Sequence, residues 1–548
     1  MVNKIISKSQ EFLNRKSSSI LSAAGIIAIS YLGSALLGLV RNHLLAARFF
    51  GGLEGDLDVY FAAFVIPDTI FQLLVVGAVS AAFIPVYQEH FNKSEKDANH
   101  MANAALTTVG FLLVIFSALV VIFARPLAGL LAHYSPEKLD LMANLIRIMS
   151  GAQILFAISA FLTGVLQSQR RFLVPAIAPL LYNIGTIAGI FFLSNQLGIY
   201  SAAIGVLFGA FLHTLIQLPT ALAIGYYPKP VFEPKNKGVL TMLRLMPPRT
   251  LALGLDQIER AVAVNLTSIL SAGSLAIFNF ARQLYILPIS LFGVSLSQAS
   301  FPALALEATY DDKTKFKETL SKSVLQIFFF ALPASIMVLV LRIPLVRIAF
   351  GAKAFPWDAT LLTGRALSLL AISIAPQAVT QTLTRGIHAL KDTKTPLITG
   401  AITMVVFVVP AYIFSNLLNY GVVGITGAMA LSNTLDFLLL YWVIRYKVGA
   451  LGISKRIIKM VLASVITGLS LWIPMRLLDQ LVFDTTRTIP LIALTLVVTA
   501  IGFLVYLFFC WLFKIEELSD VIQIAKKVGN WRKILVSTDE VLETPSND

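Results

Sequence analysis

Uninterrupted apolar runs of roughly twenty residues recur from Ser19 to Lys514, and each is long enough to cross a hydrocarbon layer about 30 Å thick. No other feature narrows the possible folds as far. Lipid offers no partner to backbone N–H and C=O groups, so segments this long and continuous must form helices. About fourteen can be drawn, beginning with 19–40, 58–86 and 102–131 and ending with 457–478 and 488–513. The expected fold class is an all-α integral membrane protein. Composition agrees, since 57% of the 548 residues are hydrophobic and 13% charged, at a mean hydropathy of +0.80, well outside the range of soluble globular chains. Lys4, Lys8, Arg15 and Lys16 ahead of the first run resemble the start of a secretory signal. The run is too long and no clear cleavage site follows, which predicts a retained first helix. Cys510 is the single cysteine, so no intrachain disulfide can form.

A net charge of +14 raises the question of nucleic acid, and the placement of the charges answers it. Basic connections alternate with empty ones. Lys93 and Lys96, Arg170 and Arg171, Lys229, Lys235 and Lys237, Lys313, Lys315 and Lys317, then Arg385, Lys391 and Lys394, and finally Arg445, Lys447, Lys455 and Arg456 fall on one side. The connections between them, SNQLGIYS, LSAGS and SNLLNYG, carry no charge. By the positive-inside rule the basic face is cytoplasmic, an even number of spans puts both termini there, and no nucleic-acid partner is expected. After Lys514 the mixed-charge stretch KIEELSDVIQIAKKVGNWRKIL reads as a surface helix followed by a polar, disordered end.

The chain also repeats itself. LTGVLQSQRRFLVP at 162–175 has the shape of LTRGIHALKDTKTP at 383–396, with Leu162-Thr163 matching Leu383-Thr384 and Pro175 matching Pro396. GAVSAAFIP at 77–85 likewise resembles GVSLSQASFP at 293–302. A shift of about 220 residues relates the copies, and about six spans in each unit give both the same orientation. The expected organisation is a basic N-terminus (1–18), a first six-helix bundle (19–225), a pseudo-symmetric second bundle (226–445), two extra C-terminal helices (446–514) and a cytoplasmic tail (515–548). In this arrangement Arg385, Lys391, Asp392 and Lys394 form a cytoplasmic turn between the fourth and fifth helices of the second bundle, either as topology determinants or as a gate or headgroup contact.

Ionisable groups at membrane depth cost a few kcal/mol unless paired or wet, so each is a candidate site. Arg41 and Asp58 flank the first outward connection, as a structural pair or a substrate contact, and Asp68 follows Pro67 in the second helix. Arg249, Asp256, Glu259 and Arg260 crowd the seventh helix, where Asp256 and Arg260 stand one turn apart and could pair. Arg282 lies in the eighth without an evident local partner. Guanidinium groups offer fixed positive charge and bidentate donors to an anionic ligand. The substrate-binding candidates are therefore Arg41, Asp58, Asp68, Arg249, Arg260 and Arg282. Asp436, with Asn433 and Thr434, is a candidate cation ligand or an interhelical hydrogen bond, and Asp256 joins Asn433 and Asp436 in the cation-coupling set. No HExxH, Walker A or GxSxG motif occurs and the histidines lack ligand spacing, so no catalytic residue, metal or cofactor is expected. With no nucleotide site, any active transport would draw on ion gradients, membrane potential or substrate flux.

Taken together, RNHLLAARFFG, DVYFAAFVIPD, GAVSAAFIPVYQE, GVLQSQRRFLVPAIAPLLYNIG and above all GIHALKDTKTP resemble the MurJ/MviN family of lipid II flippases, within the multidrug/oligosaccharidyl-lipid/polysaccharide exporter superfamily. The resemblance covers nearly the whole chain. It implies two lobes around a central cavity, a groove for a lipid tail beside the last two helices, and alternating access that moves an undecaprenyl-diphosphate-linked peptidoglycan precursor outward across a bacterial cytoplasmic membrane. A lipid-linked oligosaccharide, membrane lipids and cell-wall synthesis proteins are the partners it suggests. The family's first-helix arginine falls within Ser34-Ala35-Leu36-Leu37-Gly38, and its eighth-helix arginine aligns with Gln283, beside Arg282. Those departures keep open the export of another lipid-linked glycan or amphiphile, or a transport-inactive scaffold. A membrane-embedded glycan polymerase would need a large extracytoplasmic loop carrying a carboxylate constellation, and the outer connections are too short for one.

Overall fold

The structure is a computed structural model that describes residues 20–485 and 487–519. The basic N-terminus 1–18 and most of the tail 515–548 lie outside the described residues. Every regular element described is helical. The long helices are α1 (Ile20–Phe49), α2 (Glu54–Val76), α3 (Glu95–Ile122), α4 (Pro136–Ser168), α5 (Leu173–Leu197), α6 (Tyr200–Ala223), α7 (Pro247–Thr267), α8 (Ser274–Glu307), α9 (Thr314–Val340), α10 (Trp357–Ile372 with Ile374–Ala389), α11 (Lys394–Leu417), α12 (Gly421–Val448), α13 (Ser454–Leu478) and α14 (Thr488–Leu512). Each falls on one of the apolar runs.

Among the described residues, 11 helices are long and apolar enough to cross a membrane, or 12 with the broken pair of α10 counted as one span. The expected count of fourteen is not reached, because α1 and α7 stand outside that set. For α7 the reason is chemical: its 21 residues carry Arg249, Asp256, Glu259 and Arg260.

The repeat seen in the sequence returns as backbone geometry. At the end of α4 the Arg170 N–H bonds the Gln167 carbonyl (3.0 Å) and the Arg171 N–H bonds the Leu166 carbonyl (2.9 Å), with Arg170 at φ 59°. At the end of α10 the Lys391 N–H bonds His388 (2.9 Å) and the Asp392 N–H bonds Ile387 (3.2 Å), with Lys391 at φ 60°. Both are Schellman stops with a basic residue in the left-handed position that glycine usually takes. Repeat-related π-helical stretches also interrupt α2 at Gln72–Val76 and α8 at Ile289–Val294. Beside them Gly77 faces Thr250 and Gly293 faces the Ala378 backbone, each too close for a Cβ.

By proximity the chain forms two compact units. One gathers the described residues up to Leu287 with Leu345–Leu370 and Thr393–Ser432. Its core joins α2, the following π-helical stretch Val79–Phe83, α3 and α4 through Val75, Phe83, Met101 and Phe161, and the helix Lys237–Leu245 adds Val239 and Met242. The other gathers Pro288–Pro344, Ala371–Asp392 and the described residues from Asn433 onward, around Phe316, Phe329, Leu383, Leu440 and Tyr506.

Inside the first unit α5 and α6 come closest where glycine faces glycine. A Cβ on Gly185 would lie 2.5 Å from the Gly209 Cα, and Gly189 faces Gly205 in the same way. Two small-xxx-small faces thus bring the backbones together where dispersion, rather than water, drives association. Leucine at position 205 would force the helices apart, and overpacking of a close contact costs about 1 to 3 kcal/mol or more. Gly205→Leu should therefore lower the thermal unfolding midpoint of detergent-solubilised protein. Gly110→Leu is the control, because nothing lies within 4 Å of its Cβ position, and an equal midpoint for both variants would contradict the glycine contact.

Candidate functional site

A cavity of about 570 Å³ opens within the first unit, inside the 300–1,000 Å³ range of small-molecule sites. Its wall comes from α1, α2, α5, α7 and α8, including Ser34, Arg41, Asn42, Tyr60, Asp68, Tyr182, Asn183, Arg260, Arg282 and Gln283. These polar side chains are held from behind by packed helices. Asn183 ties α5 to α1 by donating to the Ser34 hydroxyl (3.1 Å) and carbonyl (3.3 Å). Asn42 donates to the Gln283 side-chain oxygen, linking α1 to α8.

Three guanidinium groups from three helices line this space. Arg260 pairs with Asp68 across α7 and α2, Nη1 to Oδ2 at 2.8 Å. Its Nε is buried with no hydrogen-bond partner, and so is the Nε of Arg282. Glu259, Arg260 and Asp256 are charged neighbours of Arg282. Arg41 directs its Nε toward Asn42 Oδ1 (3.3 Å) and sits 5.9 Å from the centroid of the Tyr182 ring. A buried N–H without an acceptor costs free energy until something supplies one. The arrangement suits an anionic ligand with several oxygens.

The structure separates the sequence candidates. Arg41, Asp68, Arg260 and Arg282 converge on one cavity. Asp58 does not reach it: the carboxylate is 2% exposed and accepts the backbone N–H groups of Gly273 (2.7 Å) and Ala276 (2.8 Å), capping the N-terminus of α8. Both oxygens are committed to that cap. The side chain of Arg249 lies outside the described residues. Arg260 reaches Asp68, a partner on another helix that local spacing could not reveal.

The cation-coupling candidates fall in different units, Asp256 in the first and Asn433 and Asp436 in the second. Among the described residues no three His, Cys, Asp or Glu side chains are placed to hold a metal ion. The signature turn is built into its own surroundings, with Asp392 paired to Lys447 (2.9 Å), the Arg385 guanidinium 5.8 Å from the centroid of the Phe301 ring, and Lys394 opening α11. The histidines serve local contacts: His90 meets Asp97 (2.6 Å), His100 meets Glu233 (2.9 Å), and His213 joins Ser159 (2.6 Å) between α4 and α6.

Sequence reasoning missed Tyr182 and Asn183 on the polar rim and marked Gln283 only as the position of a family arginine. A polar side chain within an apolar helix was the available signal. Glu259 was seen only as part of a charged helix, and its proximity to Arg282 needed the fold.

Known proteins share this plan. The family model described as "Lipid II flippase MurJ" matches residues 46–494. The "Probable lipid II flippase MurJ" of Thermotoga maritima is 28% identical over 495 residues, spanning 89% of this chain and 96% of that protein. The "Lipid II flippase MurJ" of Burkholderia cenocepacia is 27% identical over 433 residues, 77% and 81% of the two chains. A solved structure titled "Lipid II flippase MurJ, inward closed conformation" superposes with a TM-score of 0.74 at 26% identity, covering 92% of this chain and all of that one. An inward-facing MATE transporter of the MOP superfamily shares the fold at a TM-score of 0.61 and 15% identity, over 77% and 96% of the chains. With a family match across most of its length, this multi-pass membrane protein belongs to the MurJ family of lipid II flippases.

Proposed function

We propose that this chain moves lipid II, a polyprenyl-diphosphate-linked peptidoglycan precursor, across the cytoplasmic membrane by alternating access. One observation carries the reading in this particular chain: Arg41, Arg260 and Arg282, from three helices, line one cavity in a protein of this family. The family's SRVLG-type arginine and its eighth-helix arginine fall here on the 34–38 stretch and Gln283, while Arg41 aligns with the family's arginine of the RD pair, and Arg41, Arg260 and Arg282 supply the positive charge. The lobes 19–225 and 226–445 are the moving parts, and α1 and α7 complete a set of fourteen spans. In the second unit an apolar pocket of about 140 Å³ between α9 and α13, lined by Leu332, Ile336, Val461 and Val465, offers room for hydrocarbon. The basic face, with both termini, is cytoplasmic.

Loss of one charge-assisted hydrogen bond in a partly desolvated site costs about 1.5 to 3 kcal/mol, roughly 10- to 150-fold in affinity. Arg260→Ala and Arg282→Ala should each fail, or nearly fail, to sustain growth of cells depleted of their own lipid II flippase, at membrane levels equal to the parent. Lysine at either position should rescue in part, since it keeps the charge and loses the planar fork. Normal growth with both alanine variants would remove the cavity arginines from the account.

Orientation has a separate check. Cysteines placed at Gln169 and Asp392 should resist an impermeant reagent in intact cells, while those at Asn195 and Asn419 react. The native Cys510 is buried and adds little background. Labelling of the first pair would reverse the proposed topology.

A further inference from the structure

The cavity already contains an anion of its own. Asp68 holds Arg260 at 2.8 Å, and the pair is neither sealed nor free, with 22% of the Asp68 side chain and 39% of the Arg260 side chain exposed. Gln72 supports the same carboxylate from within α2. The Nε groups of Arg260 and Arg282 have no acceptor, so the site holds more donors than Asp68 can satisfy. A purely structural ion pair would be expected to use the donors it buries. This one leaves the buried Arg260 Nε without an acceptor.

Resting on the flippase reading above, we propose that Asp68 is a built-in competitor of the cargo, occupying Arg260 in the empty cavity and yielding it to the cargo's phosphate oxygens on binding. The exchange has a balance of charge. A diphosphate diester brings two negative charges, Asp68 loses its partner in a partly desolvated wall, and a lone carboxylate there is stabilised by taking up a proton. Binding from the aqueous side thus consumes about one proton at Asp68, and release returns it when Arg260 is handed back. The residue sets both occupancy and escape: too strong a hold on Arg260 keeps cargo out, and none lets cargo linger. Other charged or titratable groups act near this exchange, namely Arg282, Glu259 and Asp256 from α7 and α8, Arg41 from α1, and the Tyr60 and Tyr182 hydroxyls. Their contribution has to be separated from that of Asp68.

The test uses full-length protein in lipid nanodiscs and a short-chain polyprenyl diphospho-disaccharide, whose diphosphate diester does not titrate between about pH 5 and 8. Calorimetry in two buffers of different ionisation enthalpy counts protons. The parent should take up close to one proton, with affinity falling by up to about tenfold per pH unit as pH rises. Asp68→Asn should bind about five- to tenfold tighter, take up none, lose the pH dependence, and yet support slower transport in cells because release is impaired. Glu259→Gln should still take up the proton. Equal or weaker binding by Asp68→Asn, or undiminished proton uptake, overturns the competitor role. Should Arg260→Gln bind the probe as well as the parent does, the cavity reading itself fails, and the proposal with it. Loss of binding in Arg260→Gln alongside an unchanged Asp68→Asn would sink the competitor role alone.

Discussion

Charge at membrane depth must be paired or wet, and that constraint organises this protein. A carboxylate or guanidinium placed against lipid costs several kcal/mol, so such groups turn inward and gather where they can answer one another. Here the result is a cavity whose wall carries Arg41, Arg260 and Arg282 with Asp68. The helix that contributes Arg260 is too polar to pass as a span by composition, and its acceptance among apolar neighbours depends on that inward face. Glycine does the complementary work outside the cavity. By letting α5 and α6 touch backbone to backbone, Gly185, Gly189, Gly205 and Gly209 fix the position of α5, whose Tyr182 and Asn183 line the site.

Much of the architecture could be read from sequence because it rests on local rules. Apolar length marks the helices, and the match between 162–175 and 383–396 marks the repeat. The structure deepens that match, since Arg170 and Lys391 adopt the same left-handed geometry with the same pair of hydrogen bonds. A sequence comparison shows two similar turns; the backbone shows one stop signal used twice. Four of the candidate residues, Arg41, Asp68, Arg260 and Arg282, line one cavity. Arginine in an apolar helix is expensive enough that its mere presence points inward.

What stayed hidden depends on contacts between distant segments. Asp58 stood beside a connection and looked like a headgroup contact, whereas its partners Gly273 and Ala276 are more than two hundred residues away in sequence. The partner of Arg260 was sought one turn away at Asp256, while Asp68 approaches from another helix. Asn433 and Asp436 share a helix, so spacing grouped them readily, but Asp256 belongs to a different compact unit. Periodicity fixes which face of a helix a residue occupies. It does not say which helix comes to meet that face.

The central claim is that cargo diphosphate lies among these arginines. Photo-crosslinking tests it most directly, with a lipid II analogue carrying a photoreactive group next to the diphosphate and the labelled peptides read by mass spectrometry. The account predicts label on α1, α2, α7 and α8 around Arg41, Asp68, Arg260 and Arg282, removed by excess unlabelled lipid II. Label confined to lipid-facing helix surfaces, or undiminished by competitor, would contradict it.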